Sequence, residues 1–433
     1  MILPVLTLSV SLGSIKLVLY TLRFVIFTGR YIKVCSVLQS MKRKETTFIS
    51  LFSGCGGLDL GFSQAGFKCL AAYDLNKHAT DTLHKNTGCN VHNIDLSEED
   101  IDFDSNDQVD VVLSGSPCQG FSTMGKRELD DPRNHLLLTG ASIALKLKPK
   151  VFIAENVPGA ISGKHKKYWD NMHSLFEEQG YYTQDLICNG TDYGVPQLRK
   201  RVFFIATAKL TDQIKPVECK GGVLKDAISS IAKDAMNHEE HYLDESCVEF
   251  RIANRIKQGQ KLSNVRGGSR SIHTWDIPEV FGKVSKQEKE ALNQILKMRR
   301  QNRKRDWGDS DPIDLEVLYS TFGKGVILSL VDKGYLRKKA GTFDLSGAFN
   351  GKFRRLEWNK PANTVDTRFG NPKYFLHPSK NRGFTVREAA CIQGFPHDYK
   401  FSGPTSEQYK MIGNAVPPPM AHQLAQAIKS KLF

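Results

Sequence analysis

From Thr47 onward the chain alternates between two kinds of hydrophobic pattern. Short apolar runs occupy Thr47–Phe52, Lys68–Tyr73, Val109–Leu113, Val151–Ala154, Tyr182–Cys188 and Val202–Thr207. Their length and bounding turn residues predict buried strands. Between them, Leu58–Ala65, Lys77–Lys85, His135–Leu147 and Tyr168–Gln179 read as helices. Strand and helix in alternation predict an open, mostly parallel α/β sheet. The alternation stops after Thr207: residues 210–350 read as irregular, basic and Gly/Ser-punctuated. Order is expected again near Arg354, ending in an amphipathic helix over Pro417–Phe433 that Pro417-Pro-Pro419 is placed to open.

The first forty residues stand apart. Met1–Thr28 is apolar and no acidic residue precedes Glu45, but Lys16 and Arg23 interrupt the run. The stretch before Lys16 is shorter than the roughly 18–20 residues a spanning helix needs, and no signal-peptide pattern accompanies it. The expectation is that Met41 is the true initiator and residues 1–40 lie upstream of it. The alternative is a membrane-associating segment.

Length allows two domains, or one with a large insertion. The 433 residues carry a formal charge of +14. Taking away the four basic residues of the first forty (Lys16, Arg23, Arg30 and Lys33) leaves +10, so a polyanionic partner remains the favoured reading. Nine cysteines without a C-x-x-C pair argue against a disulfide framework and against a zinc site, and fit a reducing cytosol. The basic runs Asn264-Val-Arg-Gly-Gly-Ser-Arg270 and Arg299–Arg305 are either nucleic-acid contacts or solvated helix faces.

Five segments carry candidate chemistry. Phe48-Ile-Ser-Leu-Phe52-Ser-Gly54-Cys-Gly56-Gly57-Leu58 is a strand, a Gly-rich turn and a helix start, and Asp74 ends the next strand twenty residues after Gly54. That arrangement lets backbone N–H groups approach a ligand, and the Asp commonly accepts ribose hydroxyls. Ser116-Pro117-Cys118-Gln119 follows a buried strand, which places Cys118 at the carboxyl edge of the sheet as a candidate nucleophile. A lone thiol in a turn is more often inert. Glu155, at the end of another strand, is a cap, an ion-pair partner or an acid held to protonate something. Gln197-Leu-Arg199-Lys-Arg201 alternates into a strand, so Arg199 and Arg201 should share a face. Ile412-Gly-Asn414-Ala-Val416-Pro precedes the last helix.

These blocks, in this order, resemble those of the DNA (cytosine-5)-methyltransferase family, bacterial modification type: F-x-G-x-G, P-C-Q, E-N-V, Q-x-R-x-R and G-N-x-V. Arg354–Asp366 and Gln393-Gly-Phe-Pro396 also resemble its C-terminal blocks. The resemblance covers about 47–207 and 354–433; residues 210–350 match only the place of the family's variable target-recognition region. It implies an adenosylmethionine-dependent methyltransferase (Rossmann-like) mixed sheet flanked by helices, with a smaller target-recognition domain. The implied division is 46–209 catalytic and cofactor-binding, 210–353 target-recognising, and 354–433 returning to the catalytic domain.

The resemblance also implies roles. Cys118, after Pro117, would attack C6 of a flipped-out cytosine in double-stranded DNA, because a soft thiolate makes C5 nucleophilic. Glu155 would protonate N3, its pKa raised by burial, while Arg201 would hold O2 with Arg199 supporting. The loop from Gly120 through Arg133 would close over the flipped base. Phe52, Gly54, Gly56, Gly57 and Leu58 would seat S-adenosylmethionine, Asp74 its ribose and Asp95 its adenine edge, with Asn414 and Val416 closing the site. Two departures stand out: Leu75 where many relatives carry an aromatic residue, and Asn93-Ile-Asp95-Leu96 in place of G-D-I.

Expected further are a cytoplasmic monomer without a metal or a membrane partner, and a restriction endonuclease encoded elsewhere. The rival readings are a tRNA cytosine-5 methyltransferase of the same family, a catalytically silent DNA-binding relative, and an amino-methyltransferase. The last should carry an Asn/Asp-Pro-Pro-aromatic loop, which the chain lacks.

Overall fold

All six apolar runs form strands of one sheet, joined by a seventh that the pattern did not reveal. The computed structural model describes residues 45–97, 109–117, 135–264, 268–301 and 311–433. Its main strands are β1 (Thr47–Leu51), β2 (Lys68–Asp74), β3 (Asn90–Asn93), β4 (Val111–Ser114), β5 (Val151–Asn156), β6 (Tyr182–Asn189) and β8 (Lys200–Thr207), ordered β3-β2-β1-β4-β5-β8-β6. The first five are parallel; β8 pairs antiparallel with β5 and with β6. The short β7 (Gln197–Leu198) pairs outside this sheet with Ala362–Asn363. The missed strand, β3, is four polar-rich residues on the sheet edge and largely exposed, so no hydrophobic period marks it.

Strand alternation sorts the core into two faces. Phe48, Val111, Leu113, Val151, Ile153, Phe203 and Ile205 pack under helix α1 (Gly57–Gln64) and the closing helix Pro418–Leu432. Ile49, Val112, Phe152, Phe204 and Ala206 face α3 (Leu136–Leu147) and α4 (Lys166–Glu178), and α2 (Lys77–Asn86) lies between β2 and β3 in the chain. Phe152 stacks on Phe176 with ring centroids 4.7 Å apart. Each such fully buried ring contributes about 2–3 kcal/mol of apolar transfer. The closing helix approaches α1 so closely that a Cβ on Gly61 would lie 2.4 Å from Ala421 Cβ and 2.6 Å from His422 N.

Residues 210–350 are more ordered than their composition suggests, which corrects the irregular reading. Helices Lys286–Gln301, Leu315–Phe322 and Lys324–Asp332 pack with an antiparallel sheet of Ile313–Asp314, Thr342–Leu345 and Leu336–Lys339. They share an apolar cluster that includes Trp275, Leu292, Ile295, Leu318, Leu330, Tyr335 and Phe343. Short strands and charged outer helix faces hide this core from a reading keyed to long apolar runs. The basic cluster there is not simply solvated: Arg299 is buried and ion-pairs Asp344 at 2.6 Å. Residues 302–305 lie outside the described residues.

No disulfide framework is expected of the cysteines, and one bridge is present among the described residues. Cys69 on β2 and Cys89, just before β3, form a disulfide with Cα atoms 5.4 Å apart. This is one bridge between neighbouring edge strands, too little for a framework. Residues 1–44, and with them the expectation about Met41, lie outside the described residues. Among the described residues no helix is long and apolar enough to cross a membrane.

Candidate active site

The site is built where β1 ends. Phe52, Gly54 and Gly56 all take positive φ, at 52°, 56° and 84°, so the chain turns sharply before α1 begins at Gly57. The two glycines adopt this conformation without the penalty Phe52 meets. Asp74, ending β2, holds the turn: one carboxylate oxygen accepts from Gly54 N at 2.8 Å and the other from Asn76 N at 2.8 Å. Burial raises its pKa and these N–H groups oppose the rise. Gly57 sits against the C-terminal segment, where a Cβ would lie 2.2 Å from the Val416 carbonyl oxygen. Tyr399 locks the same turn by donating to Cys55 O at 2.6 Å.

In front of the turn lies a cavity of about 390 Å³. Phe52, Gly54, Gly57, Leu58, Asp74, Asp95, Pro117, Glu155, Arg201, Asn414 and Val416 all line it, as do Leu75, Ile94 and Leu96. Gly56 lies behind the turn, where a Cβ would meet Leu83 at 2.3 Å. Asp95 is at the rim, accepting from Ser97 N at 2.9 Å and Ser97 Oγ at 2.7 Å, bonds that lower its pKa. Leu75 is exposed.

At the inner end stand Glu155 and Arg201, both buried, with Arg201 Nε 2.6 Å from Glu155 Oε1. The strand register explains the meeting. Glu155 on β5 is opposite Phe203 on β8, so Arg201, two residues along, is on the same face. Burial pushes the Glu155 carboxyl upward, against the pull of the Arg201 and Arg199 charges. Pro117 reaches this end of the cavity because β4 runs parallel beside β5, Ser114 opposite Ala154. Cys118 and the loop from Gly120 through Arg133 lie outside the described residues.

Arg199 departs from expectation. It is fully buried, does not line the cavity, and donates to the carbonyls of Val365, Gly413 and Ala415 at 2.9, 2.9 and 2.8 Å. The alternation argument fails because Arg199 lies at the break between β7 and β8, where strand periodicity does not hold. Its charge still reaches Glu155, but its contacts are those of a fastener for the Gly413–Val416 segment.

Several lining residues escaped the sequence reading, Asp59, Glu407 and Lys410 among them. Asp59, in the first turn of α1, is 1% exposed, and burial pushes its carboxyl up to about 7. In sequence it looks like any acid placed to complement a helix N-terminus. Elsewhere His238, Glu240 and Glu388 bring ligand atoms together, but both carboxylates are occupied by Arg382, at 2.6 and 2.7 Å.

A parallel sheet with one antiparallel strand, β8, a Gly turn after β1 and an acid ending β2 define a Rossmann-like, nucleoside-cofactor methyltransferase fold. The family model of C-5 cytosine-specific DNA methylases matches residues 46–430, and the chain belongs to that family. It is 32% identical over 414 residues to the Type II methyltransferase M.DdeI of Desulfomicrobium norvegicum, covering 88% of each chain. Against M.AgeI of Thalassovita gelatinovora it is 30% identical over 431 residues, covering 88% of this chain and 98% of that one. In fold it is similar to the Entamoeba histolytica methyltransferase EhMeth, with TM-score 0.52 and 15% identity over 90% of this chain and 99% of that one.

Membership implies S-adenosylmethionine as methyl donor, and the residues fit it. The cavity is of nucleoside size, nothing lies within 4 Å of where a Cβ on Gly54 would stand at its wall, and the carboxylates Asp59 and Asp74 line it.

Proposed function

We propose that this protein methylates C5 of one cytosine, flipped out of a short duplex DNA sequence, as the modification half of a restriction–modification pair. The observation that carries the reading is the buried Glu155–Arg201 pair on the wall of the cavity that Pro117 also lines. Bound adenosylmethionine supplies the methyl group. Cys118 thiolate adds to C6, and Glu155 gives a proton to N3 while Arg201 holds O2, so that charge leaves the ring and C5 becomes nucleophilic. After C5 is methylated, loss of its proton and expulsion of the Cys118 sulfur restore the aromatic ring. Seat residues are Phe52, Gly54, Gly57, Leu58, Asp74, Asp95, Asn414 and Val416.

In this reading residues 46–209 and 354–433 carry catalysis and 210–353 recognise the target. The separate apolar cluster of Trp275–Leu345 supports that division. The protein would work as a cytoplasmic monomer beside an endonuclease that cuts the same site. Bisulfite sequencing of a plasmid from cells expressing the protein should reveal one protected sequence context. Cys118→Ser and Glu155→Gln should abolish protection, the latter lowering turnover by about 10²–10⁴-fold. Protection that survives Cys118→Ser would overturn the mechanism.

A further inference from the structure

Five carboxylates line the cavity among the described residues: Asp59, Asp74, Asp95, Glu155 and Glu407. Four have partners. Asp74 accepts two backbone N–H groups, Asp95 accepts from Ser97, Glu155 pairs with Arg201 and Glu407 with Lys410. Asp59 is different: it is 1% exposed, yet neither oxygen has a hydrogen-bond partner. The Ser50 hydroxyl and the helix N–H favour its charged form, but no cation is paired with it among the described residues. A carboxylate serving only the dipole of α1 would do so at the surface, where it keeps its hydration. Buried and unpartnered, it carries a desolvation cost that a ligand cation can offset.

We infer that Asp59 is the counter-ion for a positively charged group of adenosylmethionine, either its sulfonium or its α-ammonium, at the floor of the cavity. This rests on the methyl-donor reading of the same cavity. Among the described residues no other carboxylate on the wall is left over for the task, and the two cations there, Arg201 and Lys410, are held by Glu155 and Glu407.

The electrostatic setting agrees. Burial lifts the Asp59 carboxyl to about 7, with Asp74 adding to the rise and Ser50 and the helix N–H opposing it. The other ionisable groups coupled to it, Cys55 on the turn and Tyr399 on the C-terminal segment, are themselves pushed upward and stay protonated. A cation settling against Asp59 therefore favours its ionised form and releases a proton. Affinity should fall as pH drops below about 7, because the cation must then displace that proton.

The test is calorimetric binding of adenosylmethionine and of adenosylhomocysteine to the full-length protein, wild type and Asp59→Asn. Titrations at pH 6, 7 and 8 in buffers of different ionisation heat count the protons released. Wild type should release a fraction of a proton and bind more tightly as pH rises. Asp59→Asn should bind adenosylmethionine about ten- to a thousandfold more weakly, with no pH dependence or proton release. A loss confined to adenosylmethionine assigns the sulfonium; an equal loss for both ligands assigns the ammonium. Unchanged affinity in Asp59→Asn, with or without a lower melting temperature, overturns the inference and leaves Asp59 a structural acid. Ser50→Ala provides a second route that leaves the carboxylate in place: its proton-linked binding should shift to higher pH, and an unshifted profile refutes the role. Wild-type protein that binds neither ligand would refute the methyl-donor reading itself.

Discussion

Replacing Arg199 by Met tests whether this arginine fastens the C-terminal segment or supplies charge to the catalytic pocket. Its guanidinium donates three hydrogen bonds of 2.8–2.9 Å to the carbonyls of Val365, Gly413 and Ala415, which lie 166 to 216 residues away in sequence. Met matches the length of the aliphatic stem but leaves these buried carbonyls without their donor. Charge-assisted bonds contribute about 1.5–3 kcal/mol each, partly offset because a buried guanidinium is itself costly to desolvate. The net loss expected is about 3–5 kcal/mol, a large part of the 5–15 kcal/mol typical of folded proteins. The loss should also be local, since Asn414 and Val416 line the cavity proposed for the cofactor. Urea denaturation followed by circular dichroism gives the stability change, and calorimetry at a temperature where both proteins are folded gives the affinity for adenosylmethionine. Arg199→Met should lower both, affinity by tenfold or more. Arg199→Lys should fall between, because one ammonium cannot span three carbonyls. A variant within about 0.5 kcal/mol of wild type with unchanged cofactor affinity, but reduced turnover, would refute the fastener and return Arg199 to the pocket.

Gly57→Ala places a Cβ 2.2 Å from the Val416 carbonyl oxygen; the strain should cost about 1–3 kcal/mol in urea midpoints and weaken adenosylmethionine binding in calorimetry. Lys261, Arg270, Arg354 and Lys360 line a second cleft of about 240 Å³ with Glu357 beside them, so Lys261→Ala/Arg354→Ala should reduce the salt dependence of DNA binding by about one to two in log–log slope, leaving cofactor affinity unchanged. His377 is held down to about 4 by burial. The unfolded chain therefore binds the extra proton first, and stability should fall by about 3 kcal/mol as pH drops from about 6.5 to 4. His377→Gln should flatten that part of a pH series of urea midpoints.

Where apolar runs are long and buried on both faces, as in Val111–Leu113 and Val151–Ala154, sequence pattern and structure coincide within a residue or two. The polar edge strand Asn90–Asn93 and the core around Leu292, Leu318 and Phe343 were not legible, because neither repeats with a period that survives its charged neighbours. The Gly-rich turn after β1 was legible for a different reason: its glycines are fixed by backbone conformation, and Asp74, twenty residues on, accepts from Gly54 N. Arg199 and Asp59 were misread or missed because their meaning lies in distant partners, or in the lack of any. Spacing in a chain cannot carry either kind of information.

The cavity wall draws on the turn after β1, the end of β2, the loops after β4 and β5, and the returning segment near 407–416. That last wall is held in part by the Gly57–Val416 contact and the Arg199 carbonyl cluster, and the turn it faces by the Tyr399–Cys55 hydrogen bond. None of these involves Glu155 or Arg201, yet each positions a residue that lines the cavity proposed for the methyl donor. Docking of the C-terminal segment and binding of adenosylmethionine therefore share contacts, and a ligand that binds only the docked form must stabilise it by mass action. Loosening any attachment should thus weaken cofactor binding and stability together. Changes to Glu155 or Arg201, which sit on strands of the central sheet, should slow chemistry while the cofactor remains bound. The division follows from architecture: the central sheet holds Glu155 and Arg201, the pair proposed to act on the base, and the returning segment holds one wall of the cavity proposed for the donor.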